Sequence, residues 1–109
     1  MIYSIPKPVK GTVTVITRWS IKEVVFGINE FPTRHLIGFV RQESAGRTTS
    51  AIQSFDKENR LIQTQSGRLY QLTDGPGQDG DADYVWGQWK NINGVRDEKD
   101  VTHEYWNGK

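Results

Sequence analysis

The chain has 109 residues, of which 25% are charged and 35% hydrophobic, with a formal net charge of +1; this fits one domain and excludes a disordered or a membrane composition. The absence of cysteine excludes a disulfide scaffold, thiolate zinc sites and a cysteine nucleophile. Charge is unevenly spread, with ten Lys/Arg against five Asp/Glu in residues 1–73 and four against eight in residues 74–109, so either the acidic region folds against the basic body or a basic face stays open for an anionic partner.

Residues 1–10 hold Pro6, Pro8, Lys7 and Lys10 and read as an extended arm of a single domain spanning 1–109. They contain no long apolar run, so no signal peptide is expected, and no stretch approaches transmembrane length. A cytoplasmic location, away from membranes, is the expectation. Residues 12–19 (TVTVITRW) are rich in β-branched residues and alternate until Ile16, where the phase slips; this predicts a strand with a bulge. In residues 21–28 (IKEVVFGI), Val24, Phe26 and Ile28 alternate, which favours a second strand. Asn29 to Arg34, with Pro32, reads as a loop.

Residues 35–73 predict a four-stranded antiparallel meander. Leu36, Ile37, Phe39 and Val40 are nearly continuous, as in a strand of 36–42 buried on both faces. A turn at 44–46 leads to a strand at 48–55. Residues 56–59 close a hairpin, 60–65 return, and Ser66-Gly67 turns the chain into 68–72, with Gly67 providing the positive φ such turns need. The loop DGPGQDG follows. Asp81 is expected to cap a helix over 82–93, with Val85, Trp89 and Ile92 on one apolar stripe beside Trp86. Gly94 ends the helix, and 101–106 reads as a last short strand. The expected fold is mostly β (α+β): a curved antiparallel sheet or small barrel of five to seven strands, with one helix near the C-terminus.

Motifs for chemistry are sparse. Asp74, Asp79, Asp81 and Asp83 suggest a calcium loop, but counting from Asp79 puts Tyr84 at position six and Lys90 at position twelve, where such a loop needs Gly and Glu. His35 and His103 have no neighbouring ligand motif, and no GxSxG, GxGxxG or P-loop string occurs. The sequence therefore nominates no catalytic residue, no metal and no cofactor, and points away from an enzyme.

The candidate partner-binding residues lie on the meander. Arg47, Thr49 and Ser50 on one strand, with Ser66 and Arg68 on the next hairpin, form a polar sheet face. It is either a solvent face or a recognition face, since an Arg fork pairs with carboxylate or phosphate. Trp106 joins them as an aromatic near the C-terminus, exposed as an interface anchor or buried by a docking strand. The first functional expectation is a non-enzymatic binding protein acting on a protein partner. The alternative is a nucleic-acid-binding β domain using the basic sheet face.

Arg47-Thr-Thr-Ser50, Ser66-Gly-Arg-Leu-Tyr-Gln-Leu72, Pro76-Gly77 and Asp83-Tyr-Val-Trp-Gly-Gln-Trp89 resemble short uncharacterised proteins of Gram-negative bacteria and their mobile elements, over about residues 36–92. The resemblance implies a compact single domain of bacterial or phage origin. In that setting an inhibitor or accessory protein of a mobile element fits. It transfers no site residue.

Overall fold

The structure is a computed structural model that describes residues 13–26 and 31–106. The expected arm at 1–10 and residues 27–28 of the expected second strand lie outside them. The elements are β1 (Thr14–Phe26), β2 (Thr33–Val40), β3 (Ala45–Asp56), β4 (Leu61–Thr64), β5 (Leu69–Leu72), α1 (Gly80–Asn93) and β6 (Val95–Asp100), with 3₁₀ turns at Arg41–Glu43 and Thr102–Glu104.

The two strands expected at 12–19 and 21–28 are one. β1 runs through the phase slip by means of a bulge between Thr17 and Ser20, where Arg18 takes a φ of 47°. The extra residue turns Trp19 and Ile21 to the same side as Ile16, and all three are fully buried. A bulge thus converts an interrupted alternation into one continuous inner face.

The meander β2–β3–β4–β5 forms with every neighbour antiparallel. β1 pairs antiparallel with β2 and parallel with β5, joining Thr14 to Tyr70 and Ile16 to Leu72. The sheet is therefore mixed and nearly ring-closed, where a purely antiparallel one was expected. Parity explains the difference. Five strands that alternate direction around a ring must leave one pair of neighbours parallel, and that pair is β1 with β5. Ring closure also removes two edges that would otherwise stay open.

Two apolar layers result. Inside the ring lie Ile16, Trp19, Ile21, Leu36, Val40, Ile62, Tyr70, Leu72 and Val101. Outside it, Val24, Ile37, Ala82 and Trp86 form a second cluster, with Phe26, Trp89 and Val95 packed against it. Leu36 and Ile37 face opposite layers, so β2 is buried on both faces as its near-continuous apolar run predicts. Fully burying each such side chain contributes about 1.5–3 kcal/mol.

α1 begins two residues before the expected start. Asp79 caps it, accepting from the Ala82 amide at 3.0 Å, whereas the Asp81 carboxylate reaches across to β3 and accepts from the Gly46 amide at 2.7 Å. The buried face centres on Ala82 and Trp86; of the expected stripe, Trp89 packs against it and Val85 is half-buried, whereas Ile92 is 83% exposed. Gly94 ends the helix at φ 64°, its amide bonded to Asn91 and Lys90 carbonyls. The last strand is also displaced from expectation: 95–100 is β6, paired antiparallel with the second half of β1, and 102–104 is a 3₁₀ turn.

Candidate functional site

The structure scatters the residues nominated on the meander. Arg47 points toward the inside of the ring. Its guanidinium donates to the Tyr70 hydroxyl at 3.0 Å and pairs with Glu43. Desolvation pulls the Arg47 pKa down, but the Tyr70 and Glu43 contacts outweigh it and hold the group above its ordinary value. Thr49 is buried; its hydroxyl accepts from the Leu36 amide at 3.1 Å and donates to the Ser50 carbonyl at 2.8 Å. The Ser50 hydroxyl accepts from the Ser66 amide at 3.1 Å, and the Ser66 hydroxyl contacts that of Thr64 at 3.1 Å. Ser50 and Ser66 are thus brought together as a cross-strand tie that holds the 64–67 turn. Arg68 is exposed, with no ion pair among the described residues. Trp106 belongs to another cluster: half-buried, it meets Trp19 edge-on at 6.1 Å and carries the Arg60 guanidinium 4.3 Å above its ring. Of the six nominated residues, only Ser66 and Arg68 present exposed side chains.

A second feature was not visible in the sequence. β6 pairs with β1 along one edge, and among the described residues its other edge has no strand partner. The Val101 amide donates to the Ile21 carbonyl at 2.9 Å. Antiparallel pairs alternate between bonded and non-bonded, so Lys99 and Asp97 also turn their backbone groups to β1. The amides and carbonyls of Glu98 and Asp100 therefore face away from it. A groove of about 250 Å³ lined by Glu23, Val25, Asp97, Glu98 and Lys99 lies beside β6. Another of about 260 Å³, lined by residues 90–91 and 95–98, opens toward the end of α1. VRDEKD has no apolar alternation and no enrichment in strand-forming residues, so its only legible signal was Gly94 releasing the chain from the helix.

Ion pairs hold this edge in place. Glu98 accepts from Lys90 at 2.9 Å and from the Trp86 indole at 3.1 Å, and Lys22 reaches Asp100 at 2.9 Å. Desolvation pushes both carboxyls up. Lys90 and Trp86 for Glu98, and Lys22 and Thr102 for Asp100, outweigh it, so both pKa values lie below the ordinary range. Arg34 bridges Glu23 and Glu104, each at 2.9 Å, and its pKa is raised by the hydrogen bond to Tyr105 and by those carboxylates. β6 is thereby a charged strand whose Glu98 and Asp100 side chains are paired on its own molecule and whose outer backbone groups face away from β1.

Elsewhere, among the described residues, the Thr48 hydroxyl is the one buried side-chain polar atom without a hydrogen-bond partner. Both ring nitrogens of His35 are engaged, Nδ1 donating to the Thr49 carbonyl and Nε2 facing the Thr33 hydroxyl, each at 2.8 Å. Among the described residues no cluster of three or more His, Asp or Glu stands close enough to hold a metal ion, and no helix is long and apolar enough to cross a membrane. Comparison with protein-family models, with curated proteins and with solved structures gives no match.

Proposed function

We propose that this protein is a non-enzymatic binding domain that takes a segment of a protein partner as an added strand along β6. The observation that carries this reading is the outward-facing backbone of Glu98 and Asp100 on a strand without a second neighbour among the described residues. Strand addition draws affinity from main-chain hydrogen bonds and specificity from recesses beside the edge, and β6 has such a recess on either side. Charged side chains on an edge discourage indiscriminate pairing, which suits a surface reserved for one partner. In the setting of the resembling bacterial and mobile-element proteins, the partner is a host protein and the domain an inhibitor or accessory factor. Nucleic-acid binding through the meander draws less support, because Arg47 is occupied by Tyr70 and Glu43.

The test uses proline as a backbone probe. Glu98→Pro removes an outward amide and leaves the β1 ladder intact, whereas Glu98→Gln removes only the charge. Protein captured from host lysate by the native chain and by Glu98→Gln, but not by a folded Glu98→Pro, supports strand addition. Equal capture by all three refutes it. Anisotropy with labelled oligonucleotides tests the rival: nucleic-acid affinity should be non-specific, with Kd on the order of 10⁻⁴ M or poorer at physiological salt.

A further inference from the structure

The hairpin turn joining β3 to β4 and the segment after β6 meet at a small cleft of about 100 Å³, lined by Lys57, Arg60, Tyr105 and Trp106. Its four residues come from two stretches of chain far apart in sequence, and both stretches are held firmly. In the turn, the Asp56 carboxylate accepts from the Asn59 amide at 3.1 Å and from its side chain at 2.9 Å. The Gln71 side chain donates to the carbonyls of Asn59 and Arg60, at 2.9 and 3.1 Å. Arg60 itself sits at φ 56°, a conformation that costs a non-glycine residue free energy, and this places its guanidinium over Trp106 at 4.3 Å. Across the cleft, Trp106 rests edge-on against the buried Trp19 and Tyr105 packs on Phe55 at 4.9 Å.

The charges there are distinctive. Arg18, Lys22, Arg34, Arg47 and Lys90 each pair with a carboxylate. Among the described residues Lys57 and Arg60 do not, and neither do Arg41, Arg68 and Lys99, but Lys57 and Arg60 border one recess together. With its carbon 4.3 Å from the Trp106 ring centre and no carboxylate partner, the Arg60 guanidinium keeps N–H donors for a ligand, and a planar fork beside an ammonium matches a tetrahedral oxyanion. The volume equals about three waters at liquid density, room for one phosphoryl group.

We propose that this cleft binds the terminal phosphoryl group of a phosphate monoester, with Arg60 supplying the fork, Lys57 the second charge and Trp106 the platform that orients Arg60. The site is independent of the β6 edge. The probes are inorganic phosphate and phenyl phosphate, added to uniformly ¹⁵N-labelled protein, with sodium chloride at matched ionic strength as control. The Trp106 indole resonance should shift saturably with both phosphates, with Kd of about 1 mM or tighter. Tighter binding of phenyl phosphate identifies an ester as the preferred source, and equal binding identifies the free anion. Arg60→Gln should weaken binding by about tenfold or more, the loss of one charge-assisted hydrogen bond, and Lys57→Gln should weaken it further. Arg41→Gln, at an exposed cation outside the cleft, should leave it unchanged. A non-saturating shift, a shift reproduced by chloride, or unaltered binding in folded Arg60→Gln would overturn the proposal.

Discussion

The carboxylate of Asp81 accepts a hydrogen bond from the backbone amide of Gly46 at 2.7 Å, tying the first turn of α1 to β3. The approach is so close that a β-carbon on Gly46 would lie 2.4 Å from the Ala82 backbone. No side-chain rotation relieves a clash with backbone, so the helix itself must move. Gly46→Ala should cost about 1–3 kcal/mol, the usual range for overpacking, with the loss visible as a lower denaturation midpoint and as altered fluorescence of Trp86 and Trp89. An unchanged midpoint would mean that α1 sits less tightly on the sheet.

Gly67→Val should also destabilise the domain. Gly67 has φ 90°, and its amide closes the turn by donating to the Thr64 carbonyl at 2.8 Å. A β-branched residue tolerates that backbone badly, and the strain should cost about 1–3 kcal/mol. Equilibrium unfolding in urea gives the figure directly.

Arg47→Ala should behave as a stability mutation. It removes the guanidinium from the buried Tyr70 hydroxyl, and an unsatisfied buried donor or acceptor costs about 1–3 kcal/mol. Arg68→Ala, at an exposed position, should stay within about 0.5 kcal/mol of the native chain. A double comparison with Tyr70→Phe should show the two effects to be non-additive, because they remove the same interaction. Full additivity would show that the contact contributes nothing.

Stability should fall on mild acidification. Burial lowers the His35 pKa below its ordinary 6.5, against the opposing hydrogen bond to the Thr49 carbonyl. The ring is surrounded by Phe26, Trp89 and two threonines. Below about pH 6.5 the unfolded chain takes up a proton that the folded chain resists, so the unfolded state gains and stability declines; above that pH the contribution is complete. Denaturation midpoints measured across this range should drop with pH in the native protein and drop less in His35→Gln. A midpoint that rises on acidification would contradict the assignment.

What the sequence revealed follows from how locally each feature is encoded. Gly67 and Gly94 announce themselves because a positive φ is a property of one residue. The meander was legible because its strands alternate and its turns are short. β1 read as two strands because a bulge is a local break in phase that pairing on both sides heals. β6 was hidden because its pairing comes from the backbone of β1 and its side chains are charged, so no apolar pattern marks it. Asp81 and Asp79 are equivalent as cap signals, and only the proximity of Gly46 to the helix distinguishes them. The polar face misled for a related reason: whether Arg47 meets solvent or Tyr70 depends on a contact between strands that are not neighbours in the ring.

The parallel junction of β1 with β5 favours one order of assembly. During synthesis β1 emerges first, yet its first half has nothing to pair with on that side until Tyr70 to Leu72 exist. β2 is available much sooner, and the hairpins that follow need only short loop closures. The contact of greatest sequence separation in the ring is therefore expected to form after the meander, and its larger loop closure to slow folding. Until then the β5-facing edge of Thr14 to Ile16 is unpaired, and aggregation is expected to start from that open strand edge.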